Sequence, residues 1–308
     1  MGAGTFTSEE GRVFRTQGEI GRGVLTFVLD GVDGGGHDEA RERAAGGRYA
    51  IKTVLPLWTG HPLAEARIAR ERELSIALHD PSPHPSCQEI VCGGRQKLED
   101  GRSRPFHVSP LYDGETLADR LRNCSRDGKR VPVELALRWA DDVLAALGRL
   151  HAIGWVHRDV KPQNVFIVSS GADGARERAL LMDYGLAMRA GAPRIEVDEP
   201  FGTPAYVSPE VVAGATLDGR ADLYSLALIL FELFCGQRPF TGLDPIGLVE
   251  AHLGAAPPSP RALCPHLSPE MDRVISRALA KAPGERPANA AELAGLLRTT
   301  PEARALAH

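Results

Sequence analysis

Eight consecutive residues, His157-Arg158-Asp159-Val160-Lys161-Pro162-Gln163-Asn164, hold the densest chemistry in this sequence. Asp159 and Asn164 stand five positions apart, so one loop can present both to a single centre. At a phosphoryl-transfer centre the two side chains divide the work: a carboxylate accepts the proton of an attacking hydroxyl, and an amide oxygen holds a metal ion. Lys161, between them, adds positive charge where negative charge builds on a transferring phosphate. Near the N-terminus, Gly21 and Gly23 lie in Ile20-Gly21-Arg22-Gly23-Val24-Leu25-Thr26-Phe27-Val28. Glycine lets a backbone come close to phosphate and adopt positive φ. Two isolated glycines also make an ordinary tight hairpin turn.

The elements that must position these residues are legible from periodicity. Val24 to Leu29 and Arg48 to Lys52 read as strands, joined by DGVDGGGHDEARERAAGG, an exposed and mobile hairpin connection. Ala64 to Leu78 reads as a helix stopped by Pro81, Pro83 and Pro85. Strands are expected around Glu89-Ile90-Val91 and Phe106-His107-Val108, across the turn Glu99-Asp100-Gly101. Past Gly114 helical spacing takes over. Leu135, Leu137, Trp139, Val143, Leu144, Leu147 and Leu150 form the apolar stripe of a helix from Val133 to Ile153. The octet follows that helix and precedes a strand-like run, Val165 to Val168. Ala221 to Phe234, nearly all apolar, predicts a buried helix. Further helices are expected near Ile246 to Leu253, Met271 to Ala280 and Ala290 to Leu297, and no internal repeat is visible.

The octet matches the HRDxKPxN catalytic loop of the eukaryotic-type (Hanks-type) serine/threonine protein kinases, and the chain resembles that family from about residue 12 to residue 298. Asp183-Tyr184-Gly185 resembles the DFG element, with Tyr184 in place of Phe. Ala50-Ile51-Lys52 resembles the strand that carries the phosphate-gripping lysine. Phe201-Gly202-Thr203-Pro204-Ala205-Tyr206-Val207-Ser208-Pro209-Glu210 resembles the substrate-docking stretch, and Glu285-Arg286-Pro287 the element that pairs with its glutamate. The glycine loop fits G-x-G-x-x-G-x-V except that Thr26 replaces the third glycine, which implies a shifted loop with weaker phosphate contact. Thr26 is β-branched and stiffer than glycine.

The resemblance implies an α+β, bilobal protein kinase fold: an antiparallel β-sheet plus one helix in an N-lobe, residues 1–112, and a mainly α-helical C-lobe, residues 113–308. It implies ATP bound between the lobes with Mg2+ (Mn2+ as a substitute) held by Asn164 and Asp183. Lys52 would grip the α- and β-phosphates, braced by a carboxylate from the following helix. Glu71 and Glu73 both qualify, and counting back from Leu78-His79 favours Glu71. Ile20, Gly21 and Gly23 would cover the phosphates. Val28, Ala50 and Phe166 would sandwich the adenine, with Ser109 at the back of that site and Pro110 and Tyr112 offering backbone groups. As plain structure, Val28, Ala50 and Phe166 are core residues. Asp159 and Lys161 would act on the acceptor hydroxyl, with Thr203 touching both. Glu210 would pair with Arg286, and Asp222 would brace the catalytic loop from its buried helix. Lys161 and Thr203 go with serine/threonine specificity. Aminoglycoside-type phosphotransferases share an Asp and Asn loop but lack the Ser208-Pro209-Glu210 and Arg286 pairing, so a small-molecule acceptor is the poorer choice.

One feature is unusual for the family. Arg158 goes with activation-loop phosphorylation, yet Leu186 to Phe201 contains no Ser, Thr or Tyr. Glu196, Asp198 and Glu199 either offer Arg158 a permanent carboxylate or simply solvate a loop. The alternative to an active enzyme is a pseudokinase, a nucleotide-binding scaffold supported only by Thr26 and the missing phosphosite. Lys52, Asp159, Asn164 and Asp183, all present, argue against it.

Composition bounds the rest. The 308 residues are 43% hydrophobic with formal net charge -4, enough for a sizeable core and not basic enough for general nucleic-acid or anionic-membrane binding. Five scattered cysteines without a CxxC pair read as reduced thiols of a cytoplasmic protein, with Cys87 and Cys92 on opposite faces of one strand. No apolar run approaches the roughly 20 residues of a membrane span, and MGAGTFTSEE is neither a signal peptide nor a myristoylation site, because Phe6 occupies the hydroxyl position. The expected partner is a protein substrate with a Ser or Thr acceptor, and no nucleic acid. Homodimerisation stays open, and the Ala, Gly, Arg and Pro richness suggests a bacterial, high-GC source.

Overall fold

The computed structural model of the chain describes residues 4–34, 47–169, 176–192 and 204–306. Two compact units are distinguished: Met1–Asp113 with Asp183–Gly185, and Gly114–Met182 with Leu186–His308. Most of the expected hairpin connection after Asp33, residues 35–46, lies outside the described residues.

The first unit is built on a six-stranded antiparallel sheet in the order β1-β2-β3-β4-β6-β5. Its strands are β1 (Thr5–Thr7), β2 (Val13–Arg22), β3 (Thr26–Asp33), β4 (Arg48–Val54), β5 (Cys92–Lys97) and β6 (Ser103–Pro110). Side chains alternate across a strand. The pairings Leu29 with Ile51 and Ile51 with Val108 therefore put Phe27, Leu29, Tyr49, Ile51, Phe106 and Val108 on one face. Phe6 and Phe14 complete that core, Phe6 edge-on to Phe106 at 5.1 Å and Phe14 edge-on to Tyr49 at 5.3 Å. The two end strands also approach each other: Glu9 N–H donates to Gly93 O (3.0 Å), and Gln96 Nε2 donates to Thr5 O (3.3 Å). The sheet thus curls around its aromatic core, which limits its open edges. The opposite face carries Val28, Ala50, Lys52, His107 and Ser109, fixed by the pairings Val28 with Lys52, Ala50 with Ser109 and Lys52 with His107.

Helix α1 (Pro62–His79) lies on this second face. Its buried residues Ala64, Ile68, Glu71, Leu74, Ser75 and Leu78 fall at helical spacing, and Ala64 and Ile68 pack with Val54. The strand expected at Glu89-Ile90-Val91 begins only at Cys92. Ser75 Oγ accepts from Ile90 N–H (2.7 Å) and donates to Gln88 O (3.0 Å), so the helix satisfies the backbone there, while Val91 N–H already donates to Val108 O on β6 (2.8 Å). Cys87 and Cys92 accordingly do not share a regular strand, and all five cysteines are free thiols.

In the second unit, β7 (Gly114–Thr116), β9 (Val165–Val168) and β10 (Arg178–Leu181) form a small antiparallel sheet, while β8 (Trp155–Val156) pairs β11 (Met188–Arg189). Gly114, at φ 153°, begins β7 where a Cβ would stand 2.0 Å from Ile167 O, so only glycine fits. Helix α2 (Leu117–Arg126), not foreseen from the sequence, starts at Thr116, whose hydroxyl accepts from Asp119 N–H (3.1 Å). The long α3 (Val133–Ala152) carries the foreseen apolar stripe. Helix α4 (Arg220–Cys235) is buried nearly all round, and α5 (Pro245–Gly254), α6 (Pro269–Ala278) and α7 (Ala290–Arg298) follow. Helix α6 sits two residues earlier than Met271–Ala280 because Ser268 Oγ caps it at Met271 N–H (3.0 Å). No helix among the described residues is long and apolar enough to cross a membrane.

Candidate active site

In the first unit the second sheet face gathers charge. Lys52 Nζ stands 2.7 Å from Glu71 and 3.1 Å from Asp183. Of the two helix carboxylates, Glu71 is the one at the lysine, because its position on α1 falls in the buried stripe. Burial alone would lower the Lys52 pKa, but Asp183 and Glu71 outweigh it and hold the amine firmly protonated. Glu71 has a further partner that sequence reasoning did not single out: His107 Nε2, 3.0 Å away, with both side chains almost fully buried. Register explains it. His107 sits opposite Lys52 on β6, and alternation aims both at α1.

Asp183 has φ 64°, a left-handed conformation that non-glycine residues adopt only under constraint. Asp183 N–H donates to Gln88 Oε1 (3.3 Å), and Arg70 donates to Gly185 O (2.9 Å). Tyr184, replacing Phe, is 1% exposed. Its hydroxyl meets the Cys87 thiol and the Gln88 backbone, and burial drives its pKa well above the ordinary phenol value.

The glycine loop is a tight hairpin closed by Gly23 N–H donating to Thr26 O (2.8 Å). Neither Gly21 nor Gly23 has positive φ, and a Cβ at either would make ordinary contacts, 3.7 Å and 3.5 Å at the nearest. The fold itself therefore does not demand glycine there. Ile20 is about half exposed. Val28, Ala50 and Ser109 share the face of Lys52, and the Ser109 hydroxyl lies 3.5 Å from Ala50 O. Pro110 ends β6 opposite Tyr49, and Tyr112 follows it, half-buried. Phe166 stands in the second unit, on β9 opposite Thr116 and Leu180.

In the second unit the octet forms a braced loop after β8. Asp159 is nearly buried, and its Oδ2 accepts from Lys161 Nζ (2.7 Å) and Asn164 Nδ2 (2.9 Å). Asn164 Nδ2 also donates to Asp159 O (2.9 Å), which leaves its carbonyl oxygen as the group able to face a cation. Asp222, buried on α4, accepts from the backbone N–H of His157 (2.8 Å) and Arg158 (2.9 Å). His151 Nε2, at 2.8 Å, is its other partner and was not picked out from the sequence. Burial pushes the Asp222 carboxyl up, but the His151 contact and His157, through its backbone donor among other effects, hold it below the ordinary value. Arg158, at φ 69°, is the second left-handed non-glycine residue among those described. Glu210 and Arg286 form a buried two-pronged pair at 2.6 and 2.8 Å, with the guanidinium over the Tyr224 ring. Thr203, Glu196, Asp198 and Glu199 lie outside the described residues.

Comparison with known proteins decides the family: its protein kinase domain description matches residues 17–295. The chain belongs to the protein kinase family. Among curated relatives of this kinase-family chain, a probable serine/threonine-protein kinase of Streptomyces coelicolor is 31% identical over 89% of the chain. The serine/threonine-protein kinase PksC of the same organism is 37% identical over 78% of it. The serine/threonine-protein kinase PknB of Mycolicibacterium smegmatis is 32% identical over 81%. The chain spans about two fifths of the length of these relatives, 38%, 42% and 38% respectively. Among solved structures, the kinase domain of Mycobacterium tuberculosis PknI matches with TM-score 0.65 and 26% identity, covering 95% of this chain and 97% of that one. The fold class is that of the protein kinases.

Proposed function

We propose that the chain is a serine/threonine protein kinase that transfers the γ-phosphate of ATP to protein Ser or Thr hydroxyls. The observation that carries this is the Asp159 carboxylate, nearly buried and held by Lys161 and Asn164 on a loop tied to Asp222. A carboxylate so fixed accepts the hydrogen bond of an acceptor hydroxyl and aims its oxygen. Lys161, already at Asp159, places a positive charge beside the attacking oxygen. In the first unit, Lys52 is locked by Glu71 and Asp183 in a protonated state suited to phosphate oxygens. Val28 and Ala50 present an apolar strip of sheet to a flat base, and Gly21 and Gly23 offer a backbone without side chains to the phosphates. In the first unit Ile20, Ser109, Pro110 and Tyr112 would complete the nucleotide contacts, and Phe166 is the contact expected of the second unit.

On this reading each unit would supply one metal donor, the second unit the Asn164 carbonyl oxygen and the first the Asp183 carboxylate, both hard oxygen ligands suited to magnesium, with manganese as a substitute. When bound, the metal would neutralise charge on the phosphates. The retained set Lys52, Glu71, Asp159, Asn164 and Asp183 weighs against a scaffold without transfer activity. The relatives named as serine/threonine kinases support the acceptor class, and the cytoplasm is the proposed compartment.

The test is transfer of label from γ-labelled ATP onto the protein itself and onto a generic basic protein, with magnesium and then manganese. Asp159→Asn should lower the rate by about 10²–10⁴-fold while leaving ATP binding intact. Label on Ser or Thr that vanishes in the variant supports the reading. Saturable ATP binding without transfer in the unaltered chain rejects it.

A further inference from the structure

The aromatic core of the first unit ends in a cation. Arg104 stands on β6 two residues before Phe106, so strand alternation turns it onto the same face as Phe106 and Val108, away from Lys52. It is 7% exposed, and no carboxylate pairs with it among the described residues. Its guanidinium carbon lies 5.0 Å from the centre of the Phe27 ring and 5.9 Å from that of Phe6. Nε and Nη2 both donate to Gln96 Oε1 (2.9 and 2.8 Å), and Nη1 donates to Val54 O (3.3 Å). These are three of the five N–H groups of the fork, and all three end on neutral acceptors. Burial lowers the Arg104 pKa with no anion to offset it. A charge carried into a core without a counter-charge costs stability.

A cavity of about 70 Å³ lies against this cation. Arg104 and Gln96 form one side, and Thr16, Gln17 and Gly18 of β2 another. The strand bulges there. Thr16 faces Gly31 and Gly18 faces Asp30, so Gln17 has no partner on β3, and the pairing of β2 with β1 reaches only Arg15. A bulge takes backbone groups out of the ladder and leaves them for another partner. The single carboxylate on the wall, Glu19, is held by Arg22 in a two-pronged pair, both bonds 2.6 Å. One water needs about 10–15 Å³ of such space, so the cavity has room for an ion of several atoms.

We propose that this cavity binds a small oxyanion of the phosphate class as the counter-ion of Arg104. The planar fork of an arginine presents parallel N–H groups that match two oxygens of such an ion. Bound there, the anion bridges Arg104 on β6 to the bulge on β2 and removes the cost of burying a bare guanidinium. Chloride has one contact point and suits the fork less well. The proposal does not rest on the kinase reading, because the site lies on the sheet face opposite Lys52. Free inorganic phosphate and a phosphoryl group carried on a peptide offer the same chemistry.

The experiment is equilibrium dialysis of labelled inorganic phosphate against the chain at fixed ionic strength, with thermal melts in parallel. Two variants are compared. Arg104→Met keeps the stem against the rings and removes the charge. Gln17→Glu adds a carboxylate at an exposed position of the wall and keeps the test open if the first variant fails to fold. The unaltered chain should bind phosphate saturably, with Kd on the order of 1 mM. Gln17→Glu should weaken this about fivefold, and Arg104→Met should abolish it. Without phosphate, Arg104→Met should melt no lower than the unaltered chain. Phosphate at about ten times its Kd should raise the melting temperature of the unaltered chain by about 2–4 °C, and that of Arg104→Met only by the general effect of the salt. A short phosphothreonine peptide that displaces the label at lower concentration than inorganic phosphate would support the site and make a peptide its source. No displacement by that peptide would support the free ion. No saturable binding, or binding unchanged in Gln17→Glu and surviving in Arg104→Met, would overturn the proposal. Full displacement of the label by an equal concentration of chloride would overturn the oxyanion class.

Discussion

Glu71 is a carboxylate on the buried stripe of α1, 2% exposed, and it is tolerated there because Lys52 and His107 both hold it. Replacing His107 by Phe keeps the volume and removes one of the two holders. We expect His107→Phe to raise the KM for ATP by about threefold to tenfold and to cost about 1–2 kcal/mol of stability, with His107→Gln recovering part of both. Steady-state kinetics and thermal melts check this, and an unchanged KM would reduce His107 to a packing role. Lys52 and the alternatives Glu71 and Glu73 were readable from the resemblance to the kinase motifs. His107 was not, because nothing in a one-dimensional string says which strand residue stands opposite Lys52.

At the scale of elements, the hairpin between β2 and β3 closes without needing its glycines. Gly21→Ala should therefore change the melting temperature little, less than about 1 kcal/mol by helix- and strand-type comparisons, while raising the KM for ATP severalfold. A large drop in stability with unchanged KM would mean that the glycine serves the fold and not a phosphate. The first strand teaches a different lesson. β1 is three residues long, and its sequence, Thr5-Phe6-Thr7, carries too little pattern to be read. Yet Phe6 is 1% exposed and closes the aromatic core. Phe6→Ala should cost about 3–5 kcal/mol, measured by denaturant unfolding. A cost near zero would show that the curled sheet stands without its first strand. The 20-residue α3 was legible because its periodicity repeats, and it ends one residue early, while the short apolar run of β9 matches its expected range, Val165 to Val168, residue for residue. The strand expected at Glu89 to Val91 starts later because Ser75 takes the Gln88 carbonyl and the Ile90 N–H, although Val91 N–H still bonds to Val108 O.

At the scale of the molecule, stability should fall in mild acid for a nameable reason. His252 is 1% exposed, its Nδ1 facing the Tyr224 hydroxyl at 3.1 Å, with Lys281 close by. Burial first, then the Lys281 charge, lower its pKa from 6.5 to about 4. The unfolded chain therefore binds a proton at His252 between those values and the folded chain does not. Stability from this group is fully present above about 6.5 and is lost as pH falls toward 4. The loss is at most about 3 kcal/mol. His252→Gln should flatten this part of the stability profile relative to the unaltered chain, as read by urea unfolding across the window. Parallel profiles would assign the acid sensitivity to other groups.

What the sequence determined by itself was chemical identity and local order. The octet around Asp159, the Lys52 strand, the Asp183 turn and the helical stripes are properties of neighbouring residues, and neighbouring residues are what a sequence displays. What only the tertiary structure decided were the relations across long separations. Examples are the contact that sets Glu71, already favoured by counting, against Lys52, the addition of His107, and the curl that brings β1 to β5. The physical reason is that strand register, helix rotation and the meeting of distant loops are set by burial of the whole core. No local run of residues carries that information.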